Sequence, residues 1–338
     1  MGAVTNVILI TGFLGSGKTT FLNRMVKKVP EDQKMMILMN EFGEVGLDGT
    51  LIEGDDYDML EISRGSIFCV CVKTDFIKAL NDVARTIQPD LLIVESTGVA
   101  NPAALKKDLS LSIFNDRFLL KDQICIVDAA CFADVYEAYA SVEKQIESSS
   151  LFLINKVDLA TAEQIDATKK LVRKHNPSAQ FIETTFSDIP IEQFFVGSGG
   201  DEAVPAESVP LTAEELDEAI EELIQNPDAD AVPPDRLMSA VYLWQGTDID
   251  SFSSMIPSLP EKLIRSKGVL DCNGERYLFN LVMAQHTVEP YVPVKDVTPL
   301  LNQVVFIGPP EVMTELETLS RDYPDLVKKS IYDPMQSN

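Results

Sequence analysis

Gly12 to Thr19 read GFLGSGKT, a spacing of glycines that lets a backbone wrap its N–H groups around a di- or triphosphate. A Cβ at Gly12, Gly15 or Gly17 would block that approach, and a helix starting near Lys18 would turn its positive end toward the anion. Lys18 would then reach the β- and γ-phosphates and Thr19 would offer its hydroxyl to Mg²⁺, with Ser16 and Thr20 in the same phosphate-binding set. The bland alternative is a glycine-rich turn that binds nothing. A second constellation, Asn155-Lys156-Val157-Asp158, follows about 140 residues later. The Asp158 carboxylate can accept two hydrogen bonds from guanine N1 and its exocyclic amine, which adenine cannot give; Asn155 would contact the base edge and the Lys156 stem would lie against its face. Taken alone, the tetrapeptide is also compatible with any strand-to-helix turn carrying an Asp cap. Together the two motifs select GTP and GDP over adenine nucleotides.

Two further carboxylates stand where a phosphate-transfer site needs them. Glu95, in Glu95-Ser96-Thr97-Gly98, would hold Mg²⁺ through a water or orient the attacking water, and the Gly98 N–H would face the γ-phosphate. Glu41, in Asn40-Glu41-Phe42-Gly43-Glu44, lies in a glycine-rich loop of the kind that orders around γ-phosphate and metal, or is an ordinary exposed acid. No glutamine or arginine finger is evident, so hydrolysis assigned to Lys18, Glu95 and Glu41 is expected to be slow.

These residues need a scaffold that brings them together. Apolar runs at Val7–Ile10, Met36–Met39, Leu91–Val94, Ile124–Val127 and Leu151–Ile154 alternate with helical patterns, and each ends in a polar residue. Continuous apolar strands joined by helices predict an α/β fold with a doubly wound, mostly parallel sheet and ligands at the carboxyl ends of its strands. A helix from Ala162 to Lys174 stops before Asn176-Pro177, and Phe181-Ile182 reads as the last strand. Residues 1–196 are therefore assigned to a phosphate-loop domain. Residues 197–235 read as an acidic linker, opening with Gly197-Ser198-Gly199-Gly200 and closing near Pro233-Pro234. It contains one helix, with a Thr212/Glu215 capping box and a Leu216, Ile220, Leu223 stripe. That helix is either a solvated surface element or a docking element. Residues 236–338 read as a smaller α+β domain: strands at Leu237–Gln245, near Val269, at Tyr277–Ala284 and at Val304–Ile307, and helices at Ile249–Ile256 and Glu311–Leu319.

Composition narrows the classes. A formal charge of −25 would repel a phosphate backbone and argues against a nucleic-acid partner. No apolar stretch approaches a membrane span and the first strand begins without a signal-peptide pattern, so a cytoplasmic protein with no membrane partner is expected. Five cysteines without framework spacing fit reduced thiols. Cys125, Cys131 and Cys272 carry no motif, and His175 and His286 read as structural.

The chain resembles the CobW family of GTPases, relatives of the nickel-insertion GTPases HypB and UreG. The resemblance rests on GFLGSGKTT at Gly12–Thr20, NEFGEVGLD at Asn40–Asp48, ESTG at Glu95–Gly98, VDA at Val127–Ala129 and NKVDL at Asn155–Leu159, with Ile264–Gly268 and Val305–Gly308 similar to the family's carboxy-terminal domain. It implies a GTP-gated metallochaperone or metallocofactor-maturation factor, often dimerising with nucleotide. The family's Cys-x-Cys-Cys, whose thiolates bind a metal such as zinc, corresponds here to Ser66-Ile67-Phe68-Cys69, with Cys71 two residues on. In an extended segment Cys69 and Cys71 would point to one side and could hold Zn²⁺ or Co²⁺, with Glu41 or a partner completing the shell. Equally, alternation with Phe68, Val70 and Val72 fits a packed strand. Three readings follow: a GTPase that loads a metal into a client metalloprotein; a metal-independent GTPase that remodels a client such as a corrinoid protein or methyltransferase; and a non-hydrolysing GTP-binding scaffold.

Overall fold

The computed structural model describes residues 4–40, 58–62, 70–96, 102–114, 117–195, 218, 235–293 and 296–332. They fall into two compact units that meet in sequence between Asp235 and Arg236.

In the amino-terminal unit, seven strands form one sheet: β1 (Thr5–Thr11), β2 (Met35–Asn40), β3 (Asp58–Ile62), β4 (Leu91–Glu95), β5 (Phe118–Asp128), β6 (Leu151–Asn155) and β7 (Gln180–Glu183). Their order is β3-β2-β4-β1-β5-β6-β7 and every pairing is parallel. Strand β1 explains the arrangement: Val7, Ile8, Leu9 and Ile10 are all fully buried, so both faces of the strand must be covered. Val7 and Leu9 join Met36, Leu38, Leu92 and Val94 in one apolar layer. Phe76, Ile77 and Leu80 of α2 (Val70–Asp82) and Leu105 and Leu109 of α3 (Pro102–Leu109) pack into that layer. With β1 between β4 and β5, the chain reverses its direction of winding at β1, and a crevice opens beyond the carboxyl ends of these strands. Helix α1 (Lys18–Val26) starts there.

Two elements depart from the sequence reading. Strand β3 had no apolar run to announce it. Residues 70–82 are helical, so Val70 and Cys71 are not part of the extended segment expected there, and Cys69 lies outside the described residues. The reason is the spacing of Phe76, Ile77 and Leu80, which buries one helical face; the short alternation at Phe68, Val70 and Val72 is overridden. Helices α4 (Phe132–Ala138) and α5 (Ala140–Ser148) follow β5, and α6 (Ala162–His175) follows β6 behind a Thr161/Gln164 capping box. A single helical turn, α7 (Glu192–Phe195), follows β7. The acidic helix expected at residues 212–225 lies outside the described residues apart from Glu218.

The carboxy-terminal unit is an antiparallel six-stranded sheet of β8 (Met238–Trp244), β9 (Arg265–Cys272), β10 (Glu275–Val282), β11 (Gln285–Pro290), β12 (Gln303–Gly308) and β13 (Leu326–Tyr332), in the order β11-β10-β9-β12-β8-β13. Tyr242, Trp244, Phe279 and Phe306 from one face pack with Phe252 of α8 (Ile249–Met255) and with Val312 and Leu316 of α9 (Pro310–Asp322). The edge strands β11 and β13 were not legible as apolar runs. No helix among the described residues is long and apolar enough to cross a membrane.

Candidate nucleotide site

The loop between β1 and α1 has the backbone its glycines permit: φ is +133° at Gly12, +75° at Gly15 and +114° at Gly17. A Cβ on Gly12 would collide with the Ile126 carbonyl, and one on Gly17 with the Asn155 amide. The loop is therefore packed against two neighbouring strand ends, and only glycine fits at either contact. Lys18 Nζ donates to the carbonyls of Gly12, at 2.9 Å, and Phe13, at 3.2 Å, so its ammonium lies over the loop. The Ser16 hydroxyl is buried and has no hydrogen-bond partner among the described residues. A cradle that a Cβ would fill, an ammonium held over it and an unpartnered hydroxyl within it fit the polyphosphate of a nucleotide. Thr19 is half-buried and Thr20 exposed, at the start of α1.

Glu95 closes β4 in direct register with Ile10 of β1 and Met39 of β2, and is 6% exposed. The Ser96 N–H donates to the Ile10 carbonyl at 3.0 Å, fixing the turn that follows. The carboxylate thus belongs to the same end of the sheet as the loop. Its position suits a group that acts on Mg²⁺ through water rather than one in open solvent. Glu41, Gly98 and Cys69 lie outside the described residues. Cys71 is the second residue of α2.

Two residues of the second constellation are held by bonds within the protein. Asn155 is 2% exposed; its Nδ2 donates to the Ser16 carbonyl at 2.8 Å and its Oδ1 accepts from the Ser187 N–H at 2.9 Å. The amide ties together three backbone segments, as a buried amide takes internal partners when water is excluded. Lys156, at φ +58°, points its Nζ to Asp128 Oδ2 at 2.6 Å. Asp128 is opposite Asn155 in the β5–β6 register, is buried, and accepts also from the Ala130 N–H at 3.0 Å. The Lys156 stem is thereby held in place by a largely buried, charge-assisted bond. Asp158 is exposed, with its carboxylate free of the constraint placed on its neighbours.

Sequence reasoning quoted Asp128 only within the Val127-Asp128-Ala129 motif, without a role, and did not single out the segment Thr184–Asp188. For Asp128 a signal existed: it ends an apolar strand in Val127-Asp128-Ala129, as Glu95 and Asn155 end theirs. For Thr184–Asp188 none did; only the fold shows the Val157 N–H donating to the Thr184 carbonyl at 3.3 Å. His175, read as structural, has Nδ1 3.2 Å from Glu143 Oε1 and Nε2 2.5 Å from the Tyr136 hydroxyl. Glu143, Glu147 and His175 bring one ligand-type atom each within 4.8 Å of one another. Cys131 lies beside Asp128. Burial, with the Asp128 carboxylate as a second cause, pushes its thiol up to about 12.

Residues 6–183 match the family described as CobW/HypB/UreG, nucleotide-binding domain, and residues 243–319 match the cobalamin synthesis protein cobW C-terminal domain. The chain is 32% identical over 184 residues to the zinc chaperone YeiR of Escherichia coli (strain K12), a match covering 54% of this chain and 55% of that protein. It is 25% identical over 225 residues to the zinc-regulated GTPase metalloprotein activator 1 of Dictyostelium discoideum, covering 55% and 47%. It is 28% identical over 314 residues to the zinc chaperone YjiA of Escherichia coli (strain K12), covering 89% and 93%. The alignment thus spans about half the length of the first two relatives and nearly all of the third.

Proposed function

The chain belongs to the CobW/HypB/UreG family, and from that premise we propose that it binds GTP and GDP, hydrolyses GTP slowly with Mg²⁺, and uses the cycle to handle a transition metal such as Zn²⁺ or Co²⁺ or to mature a metallocofactor in a client protein. The observation that carries this reading is the Asn155 amide. It ties the Ser16 carbonyl of the phosphate loop to the Ser187 N–H, and so sets the phosphate cradle and Asp158 at a fixed separation. In this reading Gly12, Gly15, Ser16, Gly17, Thr20 and Gly98 surround the phosphates. Lys18 leaves its two carbonyls for the β- and γ-oxygens, and Thr19 and Glu95 hold the Mg²⁺ environment, with Glu41 joining when nucleotide is bound. Mg²⁺ supplies neutralisation of charge on the phosphates. Asp158 selects guanine over adenine, and Asn155 and Lys156 keep it positioned. The relatives named as zinc chaperones support metal handling, with Cys69 and Cys71 as the ligands to test. Dimerisation with nucleotide and a soluble client metalloprotein are part of the same proposal.

A second reading has its own observation. Ser66 and Phe68 stand where the family's motif places two cysteines, and a site short of two thiolates favours a GTPase that remodels its client without carrying metal, for instance a corrinoid protein or methyltransferase. The discriminating measurement is binding of Zn²⁺, Co²⁺, Ni²⁺ and Cu⁺ to the reduced protein with Mg²⁺·GTP, beside the Cys69→Ser/Cys71→Ser variant. Tight binding lost in the variant supports the two-thiolate metallochaperone. Binding that survives in the variant moves the metal to another set such as Glu143, Glu147 and His175. Turnover without any metal binding supports the remodelling switch, and nucleotide binding without turnover leaves a scaffold.

A further inference from the structure

We propose that Glu143, Glu147 and His175 form a divalent-cation site of the Zn²⁺ class at the edge of the amino-terminal sheet remote from the nucleotide crevice; the inference stands apart from the nucleotide reading and from the thiols tested above. Among the described residues, these are the three His, Cys, Asp or Glu side chains whose ligand atoms all lie within 4.8 Å of one another. Their place follows from the chain order. Helices that join parallel strands run back across the sheet, so α5 and α6 end where β6 and β7 begin. The phosphate loop lies at the opposite, carboxyl ends of the strands. Glu147 is the last residue but one of α5, and His175 is the last of α6.

The electrostatics of this corner call for a cation. Glu143 and Glu147 are four residues apart on one face of α5, and like charges at that spacing repel. The carboxyl end of a helix carries partial negative charge, which disfavours a carboxylate and favours a cation. Helix α6 brings a second such end to the same place. Asn176 Nδ2, one residue after His175, donates to the carbonyls of Ile146 at 3.0 Å and Ser149 at 2.6 Å, and so pins the end of α6 to the end of α5. Lys144 Nζ, 3.1 Å from Glu147 Oε2, offsets part of the repulsion through a contact between exposed groups that costs little to exchange.

The geometry suits a small ion. Zn²⁺ binds imidazole nitrogen and carboxylate oxygen at about 2.0–2.2 Å, which sets neighbouring ligand atoms of a tetrahedron about 3.4 Å apart. His175 Nδ1 and Glu143 Oε1 are already 3.2 Å apart. Rotation of the exposed Glu147 side chain brings in the third ligand, and water takes the fourth position. The other ring nitrogen of His175, Nε2, is 2.5 Å from the Tyr136 hydroxyl, an outer partner that fixes the ring and leaves Nδ1 to the carboxylates. Two carboxylates and one imidazole favour Zn²⁺, Co²⁺ or Ni²⁺ over Mg²⁺, which keeps an octahedral shell of water, and over the softer Cu⁺. An ion bound there clamps α5 to α6.

The test is Zn²⁺ titration of the full chain carrying Cys69→Ser/Cys71→Ser, beside the wild type. One Zn²⁺ should bind the variant with or without GTP, and excess Mg²⁺ should not displace it. The chain has two histidines, His175 and His286, so imidazole NMR reads the site directly. In wild type and variant alike, Zn²⁺ should shift the His175 resonances and leave those of His286 in place. Glu147→Gln, at an exposed position, should lower affinity about tenfold or more with the zinc-free melting temperature unchanged, and His175→Ala should do the same to affinity; Tyr136→Phe should cost about tenfold. Zn²⁺ should raise the melting temperature of the parent and not that of Glu147→Gln. Affinity unaltered by both ligand substitutions, His175 resonances indifferent to saturating Zn²⁺, or loss of all Zn²⁺ binding with the two cysteines overturns the site. GTP binding measured on the same samples judges the nucleotide reading separately.

Discussion

The two ends of the nucleotide crevice differ in how their polar groups are occupied. At the phosphate end, Lys18 rests on the carbonyls of Gly12 and Phe13 and the Ser16 hydroxyl is buried without a hydrogen-bond partner among the described residues. At the base end, Asn155 is bonded at both ends of its amide and Lys156 is bonded to Asp128, while Asp158 faces solvent. The first end must exchange contacts when an anion arrives. The second has its frame complete and presents the group that would touch a ligand. In the proposed function such a division would leave charge stabilisation to the loop, where it can change through a reaction, and selectivity to a preorganised edge, where rearrangement would cost affinity.

Removing the ammonium tests the end that must rearrange and carries the largest expected effect. Lys18→Ala should lower GTP turnover by roughly 10²-fold or more while leaving circular dichroism and melting temperature nearly as before, since the lost bonds go to loop carbonyls that water can reach once the side chain is gone. Turnover within a few-fold of wild type would mean the loop does not cradle phosphate. At the preorganised edge, Asp158→Asn should cost about 10²-fold in GTP affinity and confer use of xanthosine triphosphate, because an amide offers a donor where the carboxylate accepted. Asp158 is exposed, so the melting temperature should not move. An unchanged base preference would place recognition elsewhere.

Much of this division was legible in the residues. Parallel strands announce themselves when both faces are buried, as in Val7–Ile10, and the motifs that end them fall at one edge of the sheet because every strand runs the same way. Edge strands were less visible. Strand β11 is mostly exposed along Gln285–Pro290, and a strand that buries neither face leaves no apolar pattern. The helix over Val70–Asp82 is masked in the sequence by the alternation of Phe68, Val70 and Val72, and its period shows only in the burial of Phe76, Ile77 and Leu80. The internal role of Asn155 could not be read from sequence. It depends on Ser187, which is distant in the chain and recognisable only once β6 and β7 pair.

Asn155 sharpens the comparison because its amide is buried and bonded to two backbone segments. Asn155→Ala would strip hydrogen-bond partners from the Ser16 carbonyl and the Ser187 N–H, two buried backbone groups, at about 1–3 kcal/mol each. The amino-terminal unit should melt several degrees lower, and nucleotide affinity should fall for guanine and adenine alike. Asp158→Asn should do the reverse, changing base choice and sparing stability. If Asn155→Ala instead altered base preference at unchanged melting temperature, the amide would be a base contact after all.

The smallest effect expected comes from the partner of Lys156. The Cys131 thiol is pushed up to about 12, first by burial and next by the adjacent Asp128 carboxylate. It should therefore resist alkylation at neutral pH in the folded protein. In the unfolded chain the same thiol ionises near its ordinary value of 9. Between roughly pH 9 and 12 the unfolded state then binds fewer protons than the native state, so this group lowers stability as pH rises through that window. Cys131→Ser should flatten that part of the alkaline decline. Asp128→Asn removes a negative charge and a thiol acceptor, so it should bring the thiol partway down and speed alkylation a few-fold, burial remaining the larger cause. The same change frees Lys156 from its anchor and should weaken GDP binding modestly without altering base preference. Alkylation of Cys131 that is already fast in the wild type, or unaltered in Asp128→Asn, would separate the thiol from the carboxylate that holds Lys156.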